Sequence, residues 1–119
     1  MITPVISVAL GGALGAVLRY LVGLAVAFPM GTLAVNVVGS FAIGVVWVVL
    51  AARGLQGWMP FVMTGLLGGF TTFSAFSLDT MRLVEAGRFM VAGGYVAASV
   101  ILSIAACASG LWLAKGMTT

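Results

Sequence analysis

Long apolar runs alternate along this chain with short clusters of charge, proline and glycine. The apolar runs extend roughly from Pro4 to Ala27, Thr32 to Ala52, Phe61 to Thr80 and Phe89 to Ala114. Between them lie a tight turn, "FPMG" (28–31), a loop, "RGLQGWMP" (53–60), and "MRLVEAGR" (81–88), a charged loop or short helical turn, and "KGMTT" ends the chain. Each run matches the roughly 20 residues that a helix needs to cross a bilayer. The pattern therefore predicts an all-α membrane protein, with one domain of four transmembrane helices over residues 1–119. Such a chain belongs in a cell membrane (inner or plasma) as a multi-pass protein. The first run carries no basic residue before Arg19, so it is read as a retained helix rather than a cleaved leader.

The third run contains "GGFTTFSAFS" (68–77), which is poor material for a continuous helix. Thr71 or Thr72 is a good N-cap for a new helix beginning near Phe73. The third span is therefore expected to be two half-helices joined by an extended break near its middle. In lipid a break is tolerated only when it is buried in protein or lines a cavity. Discontinuous membrane helices use the freed carbonyls and amides to bind ions. Phe73 and Phe76, three residues apart, share a face of the second half-helix. Their rings have positive edges, so they either form a weakly attractive anion surface or simply pack.

Polar residues recur at helical spacing. Thr32, Asn36 and Ser40 stack on one face of the second span, and Tyr95, Ser99 and Ser103 on one face of the fourth. Lipid cannot satisfy such a stripe, so it faces a neighbour or a water-filled path. Single hydroxyls can bond back to their own helix. The Asn36 amide has more groups to satisfy, and interhelical bonding and pathway lining both remain open for it. Arg19 either snorkels to the interface or places positive potential at the mouth of an anion path. Small residues (Gly11, Gly15 and Gly23 on span 1, Ser40 and Gly44 on span 2, Gly65 and Gly69 on span 3) predict close helix packing.

Composition narrows the chemistry. With 63% hydrophobic and 6% charged residues, too few polar side chains remain to cover a soluble surface. Histidine is absent and Cys107 is the only cysteine, which argues against a disulfide framework or a Cys/His metal site. Asp79 and Glu85 are the only carboxylates, and both are placed at or beyond the end of the third span. No hydrolytic or redox constellation can be assembled, so an enzyme is not expected. The net charge of +3 is small and dispersed, which does not point to nucleic acid. Four spans put Arg53 and Lys115 on one face, and Arg82 and Arg88, with Arg19 near them, on the other. Orientation follows a Lys/Arg imbalance, and this near-balance predicts insertion in both orientations.

Three stretches, "GGALGAVLRY", "GTLAVNVVGSF" (31–41) and "GGFTTFSAF" (68–76), carry a family likeness. The sequence resembles the Fluc (CrcB) fluoride channels over essentially its whole length. Ala75 departs from the threonine of the commonest form of the third motif. The resemblance implies an antiparallel, dual-topology homodimer with two pores that export cytoplasmic fluoride passively and so lower its toxicity. It implies a structural sodium ion at the dimer centre, held by the backbone carbonyls of Gly68 and Thr71. It places Phe73, Phe76 and Asn36 on the fluoride path, Tyr95, Ser99 and Ser103 on a hydroxyl track with Ser74 and Thr32 nearby, and Arg19 in a vestibule. The rival readings are a small proton-coupled multidrug exporter, which needs a membrane-embedded carboxylate, and a non-transporting assembly subunit.

Overall fold

The structure, a computed structural model, describes residues 2–118. It is all-helical, and four segments are long and apolar enough to cross a membrane: Thr3–Ala25, Met30–Ala52, Gln56–Glu85 and Phe89–Thr118. Helix α1 is Ile2–Ala25 and α2 is Met30–Ala52. After a 3-10 turn at Gln56–Trp58, α3 is wound as a π-helix over Pro60–Leu67 and continues through Gly68–Phe70. Its π character shows in the bond from the Gly68 N–H to the Met63 carbonyl, five residues back. Helix α4 is Phe73–Glu85 and α5 is Phe89–Thr118.

Two glycine seams set the packing. Where α1 meets α3, an added Cβ on Gly69 would lie 2.6 Å from the Gly12 carbonyl oxygen, and one on Gly65 would lie 2.9 Å from that of Val8. Gly11 and Gly15 face the α3 backbone in the same way. Where α2 meets α5, Gly44 lies on the backbone of Cys107 and Leu111, and Gly110 on that of Phe41 and Val45. Small residues thus bring backbones into contact, which is how dispersion joins helices in a solvent as apolar as their side chains. Gly23, expected on the α1 seam, has nothing from another element within 4 Å of its added Cβ. Instead, the added Cβ of Gly31, after the turn, lies 3.5 Å from the Cα of Gly23.

Two expected boundaries move. Most of the charged stretch 81–88 is helix rather than a loop or a short helical turn, because α4 runs on to Glu85. Leu83 is why: it is 1% exposed and forms a small core with Ala92 and Tyr95, so continuing the helix buries an apolar face. The helix then stops at Gly87, whose φ of 78° only glycine adopts easily. Arg88 N–H bonds to Leu83 O and Gly87 N–H to Val84 O, the paired pattern of a glycine C-terminal cap. Gly54 ends α2 in the same way, with Leu55 N–H on Leu50 O and Gly54 N–H on Ala51 O. The fourth span also runs past Ala114, since α5 is helical through Thr118.

A single chain leaves much apolar surface uncovered. Met90 is 90% exposed, Trp112 83% and Phe73 78%. On helices of this length such faces belong against lipid or another helix.

Candidate functional site

The site is built around the interruption of the third span. The chain leaves the helix at Thr71 (φ −92°, ψ 159°) and stays extended at Thr72 (φ −156°, ψ 123°). Thr72 Oγ1 then accepts the Ala75 N–H at 3.1 Å and caps α4. The capping residue and the start at Phe73 are as the motif predicts. The glycines are not part of the gap, however: Gly68 and Gly69 are helical, and only Thr71 and Thr72 are extended. Thr71 closes the first half-helix, with both its N–H and its Oγ1 on the Leu67 carbonyl at 3.0 Å.

Extended residues leave backbone groups without helical partners. Asn36 on α2 takes two of them: its Nδ2 donates to Thr72 O at 3.0 Å, and its Oδ1 accepts from Thr72 N–H at 2.8 Å. Interhelical bonding is thus one role of this amide. The second Nδ2 hydrogen is left over, and Asn36 also lines the neighbouring groove. On the other side, Arg19 Nε donates to Gly69 O at 3.1 Å. Arg19 therefore turns inward onto the break rather than snorkelling. No such partner reaches the carbonyl of Gly68 or Thr71 among the described residues.

A groove of about 440 Å³ runs beside the break. Its lining includes Asn36, Gly68, Thr71, Phe73, Phe76, Ser99 and Ser103. The Phe73 and Phe76 ring centroids are 5.5 Å apart, and those of Phe76 and Tyr95 are 5.4 Å apart, so three rings form a continuous tilted row. Ser99 is 6% exposed and its Oγ has no hydrogen-bond partner. A buried orphan hydroxyl is rare enough to need an explanation, and here it belongs to a residue that lines the groove.

The other predicted residues lie elsewhere. Thr32 and Arg19 line a separate cleft of about 500 Å³. Ser74 is exposed and pairs with Thr72 Oγ1 at 3.3 Å. Thr32 Oγ1 donates to Asp79 Oδ2 at 2.7 Å, and the buried Tyr95 hydroxyl donates to the same oxygen at 3.3 Å.

Asp79 lies deeper than expected. It lies within α4, which runs on to Glu85, and is 8% exposed, rather than sitting at or beyond the end of the span. Its Oδ1 is 3.9 Å from Arg82, whose guanidinium sits 4.1 Å from the centre of the Phe28 ring. The absence of an embedded carboxylate therefore no longer argues against a proton-coupled exporter. The signal that could have found it is spacing: Phe76, Asp79 and Leu83 fall at i, i+3 and i+7, one face of a helix.

These features define a multi-pass helical membrane protein in which a broken span borders a groove of aromatic rings and hydroxyls. The family described as CrcB-like protein, Camphor Resistance (CrcB), matches residues 6–111. The chain belongs to this family. A fluoride-specific ion channel FluC of Paracoccus denitrificans (strain Pd 1222) is 52% identical over 117 residues, covering 94% of each chain. One from Rhizobium etli (strain CIAT 652) is 54% identical over 119 residues, 92% of this chain and 94% of its own. One from Ruegeria sp. (strain TM1040) is 49% identical over an alignment of 126, spanning all of both chains.

Proposed function

We propose that this chain is a fluoride channel, not an enzyme, that lets cytoplasmic fluoride leave passively across the cell's inner (plasma) membrane. The observation that carries this reading is the groove beside the break. It is lined by Ser99, whose buried hydroxyl no protein acceptor claims, and by Asn36, whose second Nδ2 hydrogen is spare, beside the Phe73 and Phe76 rings. Fluoride is small and strongly hydrated, so a path for it must replace water with hydrogen-bond donors at close quarters. Hydroxyl and amide hydrogens do that, and ring edges add weak attraction. The names of the half-identical relatives supply the ion. They also set aside the multidrug exporter and the non-transporting subunit, which the groove alone does not.

The working unit in this reading is an antiparallel homodimer of dual topology. The near-balance of Arg53 and Lys115 against Arg82 and Arg88 supports it, as does the exposure of Phe73 at the edge of the groove. A second copy covering that edge would enclose the groove, one pore for each copy. A sodium ion at the dimer centre fits the donor set, because the Gly68 and Thr71 carbonyls remain without hydrogen bonds and hard cations take backbone oxygens of unwound helices. Those carbonyls, a pair from each copy, would hold it, and its charge would offset the oxygens brought together there.

The test is anion efflux from liposomes carrying the purified protein, followed with ion-selective electrodes. Fast fluoride release with no chloride release above empty liposomes is the expected result. Equal release of both ions, or of neither, overturns the reading.

A further inference from the structure

Arg19 does something that a charge at a pore mouth need not do. Its Nε, the nitrogen nearest the main chain, bonds the Gly69 carbonyl 50 residues away. We propose that Arg19 is a positioning residue of the helix break: it holds the Gly69 peptide, and so sets how the neighbouring Gly68 and Thr71 carbonyls are presented, instead of collecting anions. This rests on the break being the working part of the channel, as proposed above.

Three observations converge on it. The first is spacing. Gly11, Gly15 and Arg19 recur every four residues, so they share the face of α1 that lies against α3. The two glycines bring the backbones into contact, and an added Cβ on Gly15 would lie 2.8 Å from the Phe70 nitrogen. Arg19 follows one turn later on that face, so its root is fixed relative to the end of α3.

The second is need. Gly69 O is in the last turn before the extended Thr71–Thr72 pair, where carbonyls lose their i+4 partners. A cationic donor at a helix C-terminus also meets the negative end of the helix dipole. The third is symmetry of support. Asn36 grips Thr72 from α2 while Arg19 grips Gly69 from α1, so the break is pinned on both sides. The carbonyls of Gly68 and Thr71 are left unpinned and available.

The two roles of Arg19 separate by substitution. Glutamine places an amide N–H the same number of bonds from Cα as the arginine Nε, without the charge. Lysine keeps the charge but moves its nitrogen one bond further out. Arg19→Gln, Arg19→Lys and Arg19→Met would be compared in two measurements. One is fluoride efflux from liposomes as a function of fluoride concentration. The other is hydrogen exchange of the amides from Thr71 to Ala75 in detergent, which reads the break whether or not the protein conducts.

A positioning role predicts that Gln stays near wild type in both measurements. Lys and Met should lose efflux by about tenfold or more, as expected for one charged hydrogen bond, and should exchange these amides faster. A collecting role predicts the reverse order: Lys near wild type, and Gln as poor as Met, needing more fluoride for half-maximal flux. If Met fails to assemble, the Gln and Lys pair still decides. Lys equal to or better than Gln in both measurements overturns the proposal. If wild-type protein releases no fluoride, the channel reading fails, and the exchange ranking alone then decides whether Arg19 holds the break.

Discussion

At the residue scale, Asn36 carries the most. One side chain satisfies both backbone groups of Thr72 and still borders the groove. Asn36→Leu keeps similar bulk and removes both bonds, stranding a half-buried N–H. The expected loss is about 1–3 kcal/mol of stability, measured as a lower unfolding midpoint in detergent, with fluoride efflux lost as well. Ser99→Ala behaves differently. Its hydroxyl has no protein partner, so removing it should leave the unfolding midpoint unchanged while slowing efflux. Unchanged efflux in folded Ser99→Ala protein would show that this hydroxyl does not face the ion. Asn36 and Ser99 were visible in the sequence because polar stripes are conspicuous in apolar helices. The burial of Asp79 was not, since a carboxylate at the end of an apolar run, next to the charged stretch 81–88, reads as lying at the edge of the span. The burial of Leu83 beyond it shows that the helix continues, as the spacing of Phe76, Asp79 and Leu83 on one face could have suggested.

At the scale of elements, the interrupted span is held by its cap and by its glycines. Thr72→Val keeps the shape but loses the cap at Ala75, which should cost about 1 kcal/mol. Thr72→Ser should recover most of it. Both are read from unfolding midpoints. Gly69→Ala should be far worse than Gly68→Ala. A Cβ on Gly69 presses on the backbone of Gly12, whereas one on Gly68 meets only ordinary contact, 3.5 Å from Met63 O. Loss of folded protein with Gly69→Ala and retention with Gly68→Ala, by size-exclusion chromatography, is the expected pattern. The four spans and the position of the cap were legible from hydropathy and from a hydroxyl ahead of an apolar run. The π-winding of α3 was not, because backbone register within a helix leaves no periodic mark over eight residues. Nor was the bond between Arg19 and Gly69, since a pairing across 50 residues depends on how α1 docks.

At the scale of the whole molecule, the account depends on two copies meeting in opposite orientations. Single cysteines placed in the loop 53–59 and the turn 86–88 should each be labelled from both sides of the membrane in intact cells, with Cys107 replaced by alanine. Labelling of each site from one side only would contradict dual topology. Two lysines added to the turn 86–88 should commit the chain to one orientation and abolish efflux when that variant is expressed alone.

The claim on which the rest depends is that fluoride passes along the groove lined by Phe73 and Phe76. Fluoride efflux from liposomes, measured on purified assemblies of Phe73→Ile and Phe76→Ile, tests it most directly. Isoleucine keeps apolar bulk and loses the ring edge, so packing alone would be disturbed by about 1 kcal/mol. The account predicts that both variants assemble as wild type does, with efflux slowed by about tenfold or more, equivalent to about 1.4 kcal/mol or more in the barrier. Wild-type efflux from correctly assembled variants would contradict it.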